Sequence, residues 1–174
     1  EVPRRGQYIR VLYSEIGRLL KGSQVVLGAQ NLCAEDNGAY TGEISGPMLR
    51  DFDCRYVIVG HSERRHLYNE TDPVVVRKFM AAQRAGLIPI LCVGETLAQR
   101  EAGETHAVVG TQLKAILEAA GPGALGNAVV AYEPVWAIGT GGTASPAQAQ
   151  DVHACIRSRV RAEDVKIGDS LHLL

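Results

Sequence analysis

The chain has 174 residues, within the usual span of one domain and enough to bury a sizeable core. Its 18 Lys and Arg nearly balance its 19 Asp and Glu, and the basic residues stand singly or in pairs such as Arg64-Arg65, which argues against a nucleic-acid partner. No apolar run reaches the roughly 20 residues of a membrane span, the first residues lack a signal layout, and Cys33, Cys54, Cys92 and Cys155 form no CxxC pair, so the expectation is a cytoplasmic protein with no membrane partner, reduced thiols and no metal site.

Helical period predicts a first helix over residues 8–20, and a β-branched run predicts a strand over 25–29. A long excursion follows, from Gly28 to Glu43, with apolar residues set in a polar stretch where a short connection would suffice. It reads either as a protruding interface loop or as a locally folded surface loop. A helix over 46–51 and a buried strand over Tyr56–Val59 come next, the strand running into Gly60-His61-Ser62-Glu63-Arg64-Arg65. A histidine at such a strand end, close to the free N–H groups of a helix start, has its charged form disfavoured and can donate a hydrogen bond as a neutral imidazole. The alternative is that His61 simply caps the loop.

Asp72-Pro73 and Ala85-Gly86 bound a helix over 73–85, and a strand over 89–93 and a helix over Thr105–Ala120 follow. The strand Val129–Tyr132 ends in Glu133, held before Pro134 and flanked by Tyr132 and Trp136. Partial desolvation would raise the basicity of such a carboxylate toward proton abstraction from carbon; an ordinary loop glutamate is the competing reading. The glycine-rich run Gly139-Thr140-Gly141-Gly142 leads into a helix over 146–161 opened by Ser145-Pro146. It can offer N–H groups to a phosphate or move as a lid, and it lacks the Lys-Ser/Thr ending of a nucleotide P-loop.

The strand ends fall about 30 to 40 residues apart, so each crossover holds a helix and the pattern is a parallel α/β sheet. Rhythm alone leaves an open doubly wound sheet and a closed barrel as alternatives, but no G-x-G-x-x-G follows the first strand. A barrel of eight units takes about 250 residues, and this chain begins on a helix and stops in Leu171-His172-Leu173-Leu174, so both ends of such a barrel are expected to lie outside it.

In order and spacing, Gly28-Ala29-Gln30-Asn31 with Gly38-Ala39-Tyr40-Thr41-Gly42-Glu43, the Tyr56 strand with its His61 turn, Pro89-Ile90-Leu91-Cys92-Val93-Gly94-Glu95-Thr96, and Ala131-Tyr132-Glu133-Pro134-Val135-Trp136 with its glycine-rich sequel resemble the triosephosphate isomerase family from about Gly22 onward. The resemblance implies an α/β fold, a parallel (β/α)8 barrel represented here by about four to five βα units within one incomplete domain over residues 1–174. It implies interconversion of dihydroxyacetone phosphate and glyceraldehyde 3-phosphate through an enediolate, without metal or organic cofactor. Glu133 matches the family's base and His61 its neutral electrophile. Glu63 matches a supporting carboxylate, and Gly139 the lid N–H that meets the substrate phosphate. Thr41 and Tyr40, with Glu43 and Arg64 as supports, match the contact of a homodimer.

The family's first strand carries an asparagine and a phosphate-holding lysine that no segment here matches, and its seventh and eighth strands carry further phosphate loops. Tyr40 stands where Phe is common, and Gly142 where the lid hinge usually has a larger residue, which should raise the entropy cost of closure. The isolated chain is accordingly expected to be aggregation-prone or partly folded, with negligible isomerase activity. A non-catalytic chain that keeps only the dimer loop, and a different phosphate-binding barrel, are the competing functional readings.

Overall fold

The computed structural model describes residues 5–174, with side chains from residue 12 onward. Five parallel strands pair in sequence order: β1 (Gly28–Ala29), β2 (Tyr56–Val59), β3 (Ile88–Val93), β4 (Val129–Tyr132) and β5 (His172–Leu173). Unbroken sequential order is the winding of a barrel wall, whereas a doubly wound sheet reverses its order at a switch point. Helix α1 (Arg5–Leu20) precedes β1, and α2 (Gly46–Arg50) joins β1 to β2. The later crossovers carry α3 (Ser62–Leu67) and α4 (Asp72–Arg84), α5 (Leu97–Glu101) and α6 (Thr105–Ala120), then α7 (Pro146–Glu163) and α8 (Val165–Ser170).

Strand alternation sorts the sheet into two faces. Val57, Val59, Leu91, Val93, Val130 and Tyr132 are buried against Phe79 of α4, Leu113 and Ile116 of α6, and Val152 and Ile156 of α7. The helical residues recur at three- and four-residue spacing, so each helix lays one apolar stripe on the sheet. Tyr56, Ile58, Ile88, Ile90, Val129 and Ala131 are only half-buried on the other face.

Helix ends follow local chemistry. Ser145 and Gln148 form a capping box at the start of α7 with Pro146 behind it, and Thr96 and Gln99 do the same for α5. Gly86 and Gly121, at φ 74° and 73°, end α4 and α6 in the left-handed region that glycine adopts without strain.

The predicted strand at 25–29 forms only over Gly28–Ala29, and Val25 and Val26 are 64% and 48% exposed. β2 opens at Tyr56, opposite Gly28, so Val25 and Val26 face no strand among the described residues and their β-branched character finds no ladder. The helix start expected after His61 is α3, whose bounds were not predicted; α5 and α8 were not expected, and each of the three is five or six residues long, too short to show a period, and rests on a cap.

Candidate active site

The register sets Val59 beside Leu91 and Val93 beside Tyr132, so the C-terminal ends of β2, β3 and β4 form one rim. At that rim Gly60 turns the chain out of β2 with φ 72°, and a methyl group there would press on Val75. His61 follows as the N-cap of α3, its Nδ1 accepting the Glu63 N–H at 3.2 Å. That bond occupies the Nδ1 lone pair and leaves Nε2 as the ring nitrogen free to donate. His61 does cap the turn, and the same bond sets which ring nitrogen faces Glu133.

Nε2 of His61 lies 2.8 Å from Oε1 of Glu133, and Oε2 of Glu133 accepts the Ser62 N–H at 3.0 Å. The Glu133 side chain is 15% exposed, and its backbone N–H extends the β3–β4 ladder by donating to the Val93 carbonyl at 2.8 Å. The carboxylate thus rests on a ring nitrogen and a helix-start N–H. Cys92, on β3 beneath it, has its thiol pushed up to about 12, first by burial and then by the Glu133 charge.

Glu95 takes on β3 the place that His61 takes on β2, one residue past a terminal glycine, and it is fully buried. Its Oε1 accepts from Tyr132 Oη at 3.0 Å, Trp136 Nε1 at 3.1 Å, Arg100 Nη1 at 3.1 Å and Thr105 Oγ1 at 3.3 Å. The Arg100 guanidinium also stacks on the Trp136 ring at 4.5 Å. Tyr132 and Trp136 bracket Glu133 in sequence, so one carboxylate anchors both flanks of that residue. Burial, and then the Glu95 charge, push the Tyr132 hydroxyl up to about 12, which keeps it a donor. Sequence reasoning assigned Glu95 no role; its place one residue after the glycine that ends β3 was the available signal.

The remaining expected residues fall into three places. Glu63 turns its carboxylate to solvent, with the side chain 68% exposed and Oε2 4.0 Å from His61 Nδ1, so its contact with the pair runs through its backbone N–H. Gly139, at φ 73°, lies in an exposed glycine-rich loop between the short turn at Val135–Ala137 and the Ser145 cap of α7. Tyr40, Thr41 and Glu43 are exposed at the tip of the long loop, where Glu43 N–H donates to the Tyr40 carbonyl and closes a turn. The loop is tied at its base, where Arg84 holds Asp36 through two bonds of 2.9 and 3.0 Å. Arg64 is paired with Glu70 at 2.7 Å and stacked on Tyr68. Glu70 also binds Lys78, whose ammonium reaches Asn31 at the root of the loop at 2.7 Å.

A cavity of about 590 Å³ opens at the opposite end of the sheet beside Leu27, Arg55, Ile88 and Asn127 and carries no imidazole–carboxylate pair. A smaller one of about 210 Å³ lies at the rim and is lined by Ser62, Arg65, Gln112 and Glu133 among others. No group of three metal-ligating side chains and no helix long and apolar enough to cross a membrane occurs among the described residues.

The family model described as triosephosphate isomerase matches residues 9–174 of this chain. Triosephosphate isomerase of Dechloromonas aromatica (strain RCB) is 58% identical over 160 residues, covering 92% of this chain and 64% of that protein. The enzyme of that name from Shewanella halifaxensis (strain HAW-EB4) is 52% identical over 166 residues, covering 95% of this chain and 64% of that protein. A crystal structure of triosephosphate isomerase from Bartonella henselae superposes with a TM-score of 0.84 at 38% identity, over 95% of this chain and 66% of that one. The chain thus spans just under two thirds of the length of these relatives, and its sheet is part of a barrel wall.

Proposed function

This chain belongs to the triosephosphate isomerase family, and from that membership and the His61–Glu133 geometry we propose that the whole protein interconverts dihydroxyacetone phosphate and D-glyceraldehyde 3-phosphate. The observation that carries the reading is the 2.8 Å contact between a carboxylate and an imidazole whose other nitrogen is already tied to a backbone N–H.

Glu133 removes a proton from the carbon beside the substrate carbonyl, and His61 Nε2–H donates to the carbonyl oxygen as charge develops there, giving an enediolate. The hydroxyl proton on the first carbon passes to the former carbonyl oxygen and the carboxyl group returns its proton to the former carbonyl carbon, so no atom is gained or lost. At 2.8 Å no substrate atom fits between the two groups, so substrate entry exchanges the Oε1 contact on Nε2 for the substrate oxygen and swings the carboxylate toward the carbon. The exposed loop around Gly139 closes over the phosphate, with its N–H as donor, and excludes water from the intermediate. Glu63 supports the pair by its backbone N–H.

Residues 1–174 form part of one barrel domain of a cytoplasmic homodimer. The loop tip at Tyr40, Thr41 and Glu43 meets the partner subunit, and Arg64 acts behind it through Glu70, Lys78 and Asn31.

A coupled assay of isomerisation by the full-length protein, its Glu133→Gln variant and the 174-residue chain tests the reading. The full-length protein is expected to turn over, the variant to lose at least about 10³-fold in kcat, and the chain alone, with two open sheet edges, to show no turnover. An inactive full-length protein, or a variant within about tenfold of it, sinks the assignment.

A further inference from the structure

We propose, building on the isomerase reading, that Gln112 is a positioning residue for the base Glu133, acting through the backbone of Gly94. Gln112 projects from α6, and its amide closes a two-bond clamp on a single residue. The Gly94 N–H donates to Gln112 Oε1 at 2.9 Å, and Gln112 Nε2 donates to the Gly94 carbonyl at 3.1 Å. Gly94 is the first residue past β3, where the paired register with β4 ends at Val93 and Tyr132. The sheet stops supplying backbone partners at that residue, and the Gln112 amide supplies both.

The clamp matters because of what Gly94 touches. A methyl group on its Cα would overlap the Glu133 carbonyl oxygen, so the two peptides pack backbone to backbone with no side chain between them. A shift of the Gly94 peptide is therefore passed directly to the residue carrying the base. Gly94 also leads straight into Glu95, which anchors Tyr132 and Trp136 on either side of Glu133. The cavity of about 210 Å³ lined by Gln112, Gly94 and Glu133 provides the space into which an unclamped strand end would relax.

Gln112 reaches the chemistry through Gly94, so its loss is expected in the aim of the base more than in substrate affinity. Misplacing a reacting group by about 1 Å can cost on the order of 10²-fold in rate.

The test uses the full-length protein with three variants: Gln112→Met, which keeps length and removes both bonds; Gln112→Glu, which keeps an acceptor for the Gly94 N–H; and Lys114→Ala, on the exposed face of the same helix. Gln112→Met is expected to lower kcat about 10- to 100-fold with KM within about threefold, Gln112→Glu to recover part of that loss, and Lys114→Ala to match the parent. Amide exchange at Gly94 and Glu133 should quicken in Gln112→Met while the melting temperature moves by only a few degrees. A Gln112→Met variant with kcat within about twofold of the parent, a Gln112→Glu variant no better than Gln112→Met, or unchanged protection of the Glu133 N–H overturns the proposal. The exchange readout needs no turnover, so a full-length protein without isomerase activity would refute the functional reading while the Glu133 N–H still judges the clamp.

Discussion

Replacing Glu95 with alanine removes the acceptor shared by Tyr132, Trp136, Arg100 and Thr105. The four lost bonds do not cost equally. The Arg100 side chain is 25% exposed and Thr105 is half-buried, so both can turn to water, whereas the Tyr132 hydroxyl sits in a residue only 8% exposed. Tyr132 and, less completely, Trp136 are left as stranded donors, at about 1–3 kcal/mol each. Against this, Glu95 Oε2 is buried without a hydrogen-bond partner, and removing it relieves some desolvation. The balance is a loss of about 3 kcal/mol, at the low end of the range for breaking a buried charged contact. For a protein of this size that corresponds to a fall of roughly 6–12 °C in melting temperature. Freed of its anchor, Trp136 no longer holds the chain after Glu133, and kcat should fall about tenfold or more. Glu95→Gln keeps an oxygen acceptor but sets an amide donor where Oε2 now lies without a partner, so its loss should be about half as large. Urea unfolding and steady-state kinetics of the full-length protein check both values. A Glu95→Ala variant within about 1 kcal/mol and twofold in kcat of the parent would refute the anchoring argument.

Two further outcomes follow from the titratable groups. Desolvation acts to raise the Glu70 carboxyl, but its bonds to Lys78 and Arg64 outweigh that and hold it below the ordinary 4.5, so it contributes stability in full above that value and loses it as pH falls through the depressed one. Glu70→Gln should therefore cost more stability at neutral pH than near pH 3, flattening the acid limb of a melting profile; two parallel profiles would contradict this. Burial pushes the Cys54 and Cys92 thiols up to about 11 and about 12, so both should resist iodoacetamide near pH 8 in the native protein and react fully once it is unfolded. Native labelling at the rate of a free thiol would count against that burial.

Much of the fold was legible locally. β2 and β4 match their predicted bounds because each is a β-branched run closed by residues that leave the ladder, and α6 matches because its apolar residues keep one period from Thr105 to the glycine that stops it. Of the one-turn helices only the start after His61 was legible; the extent of Ser62–Leu67 and the whole of Leu97–Glu101 were not, since each is shorter than any period and depends on a cap that only the folded turn presents. Val25 and Val26 show the converse: a strand-like pair stays exposed when no neighbouring strand reaches its level.

The amino-acid sequence by itself determined the parallel βα rhythm, the rim positions of His61 and Glu133, and the family, because these depend on residue type, order and spacing along the chain. Tertiary structure alone decided that Glu63 N–H meets His61 Nδ1, that Glu133 rests on Nε2 and the Ser62 N–H, that Glu95 holds Tyr132 and Trp136 on either side of Glu133, and that Gln112 clamps Gly94. The physical reason is register. These contacts join residues far apart in sequence, and they exist only once parallel pairing has set the ends of β2, β3 and β4 at one level.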